Sequence, residues 1–99
     1  MTKNEILHIL SDVKPKYEEE GLILLGLFGS YAKETQKRTS DIDIAYRIDY
    51  ERFSDSYRDG FSKILRIEEI RGELERRLGK RVDLVPGSNP KVTEGMIGV

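Results

Sequence analysis

Residues 27–48 read LFGSYAKETQKRTSDIDIAYRI. The left end of this stretch closes a short, continuously apolar run, Leu22–Phe28, which has the pattern of a strand buried on both faces. Gly29-Ser30 follows at once, and residues 30–37 read as a short helix. From Asp41 to Ile48 the chain then alternates. Ile42, Ile44, Tyr46 and Ile48 fall on one side of a strand, and Asp41, Asp43, Ala45 and Arg47 on the other. The expected order is a strand, a turn into a helix, and a second strand with two carboxylates on its polar face.

Upstream, Thr2 and Glu5 stand as a capping box. Ile6, Ile9, Leu10, Val13 and Tyr17 then recur at helical spacing. Pro15 lies inside that pattern and predicts a kink or a restart, and Gly21 stops the helix. Downstream, residues 49–56 are polar and read as a loop. Phe61, Ile64, Ile67, Ile70, Leu74 and Leu78 mark a long amphipathic helix that Gly79 ends. Arg81–Val85 reads as a third strand, stopped by Pro86-Gly87, and the tail 88–99 shows no clear period. The order α-β-α-β-α-β predicts one domain, residues 1–99, of the α/β or α+β class, with helices covering a small sheet.

Composition excludes several functions. With 17 basic against 18 acidic side chains, the chain lacks the basic footprint of a dedicated nucleic-acid binder, so no direct nucleic-acid binding is expected. It has no cysteine, which removes disulfides, thiolate metal sites and thiol catalysis. Charges interrupt the N-terminus where a signal peptide is apolar, and the longest apolar run is far short of a membrane span. A cytoplasmic location without membrane attachment is the expectation.

The chemistry is carried by a spacing. Two aspartates two apart on a strand point the same way, with Cα atoms about 6.5 Å apart. Asp41 and Asp43 can therefore converge on one cation or bridge two. Mg²⁺ suits such a pair, because it takes a few carboxylates and keeps its other positions for water and phosphate oxygens. Asp83 lies in RVDLV and would join them if its strand runs beside 41–48. Three carboxylates so close repel one another unless a cation neutralises them. Gly29 permits a sharp turn and close approach of a ligand. Ser30 then opens a helix whose free N–H groups favour phosphate. A phosphate-gripping turn beside a carboxylate metal site is what phosphoryl or nucleotidyl transfer requires. Each element alone is commonplace. With residue usage of roughly 5–7%, however, Gly-Ser, ten residues and Asp-x-Asp coincide by chance in about one such chain per thousand, so the spacing carries the reading.

The segments LFGSYAKETQKRTSDIDIAYRI and LGKRVDLV resemble the nucleotidyltransferase superfamily that includes the DNA polymerase β palm, and in particular its minimal stand-alone (MNT) members. The resemblance covers about residues 21–89 and implies a palm-like fold with a small mixed sheet. It also implies metal and catalytic roles for Asp41, Asp43 and Asp83, and nucleotide-binding roles for Gly29 and Ser30. Two Mg²⁺ and ATP are the implied cofactor and substrate. The implied partner is a HEPN-domain toxin, silenced as AMP passes from ATP to one of its tyrosine hydroxyls. Tyr31 and Glu34 depart from the family, which often has Arg after the serine and Gly four positions after it. The alternative is a non-catalytic module that neutralises its toxin by occlusion.

Other residues take structural readings. His8 reads as a boundary residue of the first helix, and Phe53 and Tyr57 as packing aromatics rather than a base-stacking platform. Glu68–Arg77 reads as the solvated face of the long helix.

Overall fold

The structure, a computed structural model, describes residues 1–92 and 95–99. Helix α1 (Lys3–Glu20) opens on the expected capping box, in which the Thr2 hydroxyl accepts from the Glu5 N–H and the Glu5 carboxylate from the Thr2 N–H. Pro15 does not break it. Both Pro15 and Ser11, whose carbonyl loses its helical partner, are exposed, so water can satisfy the freed group. Strand β1 (Leu22–Phe28), helix α2 (Gly29–Lys33), strand β2 (Ile42–Ile48), helix α3 (Tyr50–Ser56), helix α4 (Gly60–Leu78) and strand β3 (Val82–Pro86) follow. A 3-10 turn (Pro90–Val92) and strand β4 (Ile97–Gly98) complete the described elements. None of these helices is long and apolar enough to cross a membrane.

The strands order as β3-β2-β1-β4 in one mixed sheet. β1 runs antiparallel to both β2 and β4, and β2 runs parallel to β3. The mixed sheet matches expectation, but the fourth strand was not foreseen. Two residues are too few to show a period. Their docking depends on Gly26, where a Cβ would stand 2.2 Å from the Ile97 carbonyl oxygen.

Residues 50–56 are helical rather than a loop. Asp49 caps α3 by accepting the Arg52 N–H, and Phe53 is its one buried side chain. A single anchor leaves no periodicity to read. Helix α2 is also shorter than the expected 30–37. At its end Glu34 adopts φ 59°, the only positive φ outside glycine among the described residues.

A register shift between Leu24 and Gly26 divides the sheet's two faces. Leu22 and Leu24 point into the main core, and without the shift Phe28 would follow them. Instead Leu27 joins the main core, while Phe28 turns to the opposite face and packs with Ala45, Val85 and Val92. A continuous apolar run conceals such a bulge, because both faces take apolar residues.

Every helix from α1 to α4 contributes its buried side chains to one cluster on one face of the sheet. The other face carries only the small Phe28 cluster. The expected apolar stripe of α4 is buried only toward its C-terminal end, at Ile70, Leu74 and Leu78. Phe61 is 73% and Ile64 67% exposed. The first turns of α4 instead border a hollow together with Ile48, Tyr50 and Phe53.

The charged face of α4 does more than meet solvent. Arg66 makes two hydrogen bonds to Glu20, at 2.8 and 2.7 Å, and one to Glu73 at 3.0 Å. Tyr57 donates to Glu20 and Tyr17 to Glu73, so this half-buried network ties α1, α3 and α4 together.

Glu34→Gly is expected to stabilise the fold by about 0.5–1 kcal/mol, since left-handed backbone is strained for any residue with a Cβ. The Lys3–Glu34 pair that it removes is long (3.6 Å) and exposed, and contributes little. Urea melts of the two proteins check this, and a less stable variant would show that the ion pair outweighs the backbone.

Candidate active site

Parallel pairing of β2 with β3 sets Asp43 opposite Asp83 and Ile42 opposite Val82. Paired residues on neighbouring strands share a face. Both carboxylates therefore stand on the face that the helices leave open. Asp41 precedes β2 by one residue rather than lying within it. The Ile42 N–H bonds to the Arg81 carbonyl at 2.9 Å, which pins the start of β2 to the start of β3 and keeps Asp41 at the same edge.

On the other side of β2, Phe28 lies opposite Asp43, and Gly29 follows it. Gly29 has φ +74°, and a Cβ there would fall 2.1 Å from Oδ2 of Asp43. The carboxylate thus rests against glycine backbone, in space that no other residue leaves free. Ser30 is half-buried in the first turn of α2. With five residues, α2 has only a small dipole, so any phosphate grip here comes from local N–H groups and the hydroxyl.

The sequence-predicted residues therefore gather at one end of the open face: Gly29 and Ser30 on the β1 side of Asp43, Asp83 on the β3 side, and Asp41 at the strand start. Among the described residues, no set of three or more His, Asp or Glu side chains is arranged to hold a metal ion as it stands. The carboxylates nevertheless act on one another. Burial raises the pKa of Asp43 above the ordinary aspartate range, and the charges of Asp83 and Asp41 raise it further, against a smaller opposing pull from Lys91. That lysine projects from the 3-10 turn in the tail, where no sequence period pointed to it.

His8 is exposed on α1. Phe53 is fully buried with its ring 4.9 Å from that of Tyr57, so both aromatics pack as expected. Tyr31 turns away from the carboxylates into the main core, and Lys80 lies 5.8 Å over its ring.

The profile of the polymerase beta nucleotidyltransferase family matches residues 5–96. The chain belongs to this family. It is 36% identical over 92 residues to the protein adenylyltransferase MntA of Thermococcus cleftensis, an alignment covering 92% of this chain and 83% of the relative. A solved minimal nucleotidyltransferase superposes with a TM-score of 0.73 at 23% identity, over all of this chain and 97% of the other, and so shares the fold. A toxin–antitoxin crystal structure with AMP-PNP contains a chain that is 31% identical to this one. The match has a TM-score of 0.58 and covers 99% of this chain and 72% of that one. The family resemblance of the Gly-Ser and Asp-x-Asp segments is thereby borne out, and the chain is a nucleotidyltransferase domain.

Because folding raises the Asp43 pKa, the ionised carboxylate costs stability. This cost is absent below the unfolded value of about 3.9 and complete above the folded one. Without divalent cations, Asp43→Asn is expected to melt higher than the wild type at neutral pH, with the gain vanishing below about pH 4. Melts across that range decide it, and an equal gain at low pH would show that the ionised carboxylate is not the cause.

Proposed function

We propose that the chain is a Mg²⁺-dependent protein adenylyltransferase, transferring AMP from ATP to a hydroxyl of a HEPN-domain toxin and acting as its antitoxin in the cytoplasm. The observation that carries this reading is the register that sets Asp43 beside Asp83 while Gly29 lies against the Asp43 carboxylate. Its support from relatives is the MntA adenylyltransferase and the toxin–antitoxin structure bound to AMP-PNP, an ATP analogue. The proposed unit is residues 1–99 as one domain.

Hard carboxylate oxygens fit Mg²⁺ by their chemistry. Asp41 and Asp83 are exposed, which leaves their side chains free to turn toward Asp43. Two ions held by Asp41, Asp43 and Asp83 would neutralise the triphosphate and lower the energy of charge developing at the α-phosphate. Gly29 and Ser30 hold the β- and γ-phosphates through backbone N–H groups and the hydroxyl. The acceptor oxygen forms a bond to the α-phosphorus while the bond from that phosphorus to pyrophosphate breaks. The acceptor's proton passes to Asp83 and from there to water. Tyr31 and Glu34, the departures from the family pattern, bear on the core and on a helix end and leave these groups untouched.

Incubation of the chain with ATP, Mg²⁺ and its HEPN partner is expected to add the mass of one AMP to the partner and to abolish its ribonuclease activity. The double variant Asp41→Asn, Asp43→Asn should do neither. Full neutralisation by that variant with no mass change would replace catalysis by occlusion. Ser30→Ala should retain the fold and weaken ATP binding by about 1.5–3 kcal/mol if the hydroxyl bonds a charged phosphate. Equal affinity in isothermal titration would reduce Gly29-Ser30 to a structural corner.

A further inference from the structure

Beside Asp41, at the end of the sheet where β2 and β3 begin, lies a groove of about 390 Å³ lined by residues 38–41 and 79–81. Its walls carry Arg38, Lys80 and Arg81 against a single carboxylate, Asp41. A second hollow, of about 350 Å³, continues from it past Arg76 and shares Gly79, Lys80 and Arg81. Its one carboxylate, Glu75, is already held by Arg71 at 2.7 Å and by the Val82 N–H at 3.0 Å.

The groove cations are among those that no carboxylate of the described residues pairs with. Lys3, Lys16, Arg66, Arg71 and Arg77 pair with carboxylates. Among the described residues, Arg38, Arg76, Lys80 and Arg81 form no ion pair, and Arg38, Arg76 and Arg81 are exposed. Lys80 donates to the Arg38 carbonyl at 2.9 Å, which ties the wall from β3 to the loop that delivers Asp41. Three cations facing one carboxylate thus give the groove beside Asp41 a positive lining.

We propose that this groove docks an acidic segment of the protein that presents the acceptor hydroxyl. The inference rests on the transferase reading above and names the chemistry of its partner. The groove lies beside the proposed nucleotide turn. Gly29-Ser30 leaves β1 on one flank of β2, whereas the groove centres on the starts of β2 and β3, with Lys80 reaching back over Tyr31. With the triphosphate on the β1 side, the acceptor enters from the β3 edge, across these cations. Carboxylates there meet unpaired charge and experience no neighbouring repulsion once Asp41 is neutralised. An acidic peptide suits the groove better than a nucleic acid. The chain as a whole is not basic, and its one aromatic ring near the groove, Tyr31, is buried under Lys80 and offers no stacking face. Each exposed pair contributes little, so docking is weak and salt-sensitive, as a substrate that must leave requires.

The test compares three fluorescent probes of equal length: a Glu-rich peptide with one central Tyr, its Lys-rich counterpart, and single-stranded oligo(dA). Each is titrated in low salt against the wild type and the double variant Arg38→Glu, Arg81→Glu. The acidic peptide is expected to bind the wild type, weaken as salt rises, and lose about tenfold or more in the variant. Melts with and without Mg-ATP on the same two proteins are expected to show the same nucleotide shift. Equal peptide affinity in the two proteins, or tighter binding of oligo(dA) than of the acidic peptide, overturns the docking inference. The nucleotide shift reports the transferase reading separately. A shift retained while peptide discrimination fails removes the groove's role and leaves transfer standing, and loss of the shift in the variant shows that the cations serve the nucleotide and overturns the docking role.

Discussion

The half-buried carboxylate of Asp43, set among Asp83 and Asp41, is the constraint on which the arrangement of this site depends. Asp43 and Asp83 occupy paired positions in a hydrogen-bonded ladder, which keeps their backbones side by side on one face. The strands that carry them are held in turn by the cluster of Ile42, Ile44 and Val82 with α1 and α4. Folding thus holds Asp43 where burial and two neighbouring carboxylates oppose its charge, so a cation bound there, as proposed, would also stabilise the fold.

Holding charge this way requires the sheet to have two different faces. The bulge at Leu24–Gly26 sends Leu27 into the helix-covered core and Phe28 to the open side, one residue before the chain turns at Gly29. Ala45 and Val85 support Phe28 from the neighbouring strands, so the strand segments carrying Asp43 and Asp83 are anchored from both sides. All helical covering goes to one face, and the carboxylates are left facing solvent. Among the described residues no helix covers the open face, so under the proposed transfer the proximity gain of a positioned reaction would come from whatever docks there.

Much of this was legible because charge and turn chemistry are local signals. Asp41 and Asp43 two apart, Gly29-Ser30 after an apolar run, and the cap at Thr2–Glu5 each declare themselves within a few residues. What stayed hidden depends on distant partners. β4 exists because Gly26 leaves room for the Ile97 carbonyl, more than seventy residues away in the chain. Lys91 reaches Asp43 only through the fold of the tail. Helix α3 has one buried side chain and hence no period. Phe61 and Ile64 are exposed although they share the helical spacing of the buried Ile70 and Leu74, because that spacing does not encode what lies beside each turn.

The departures from the family pattern follow the same division between faces. Tyr31 sits where relatives often carry a cation, yet its ring is buried in the helix-side core and cannot meet a phosphate. Lys80 lies over that ring, where the electron-rich face favours a cation, and its ammonium also holds the Arg38 carbonyl. The position that could have supplied positive charge from α2 instead supplies a platform for positive charge arriving from the start of β3. In the docking role proposed for the groove, that charge would meet what approaches the carboxylates from outside, and the residues that hold it are distinct from the carboxylates themselves.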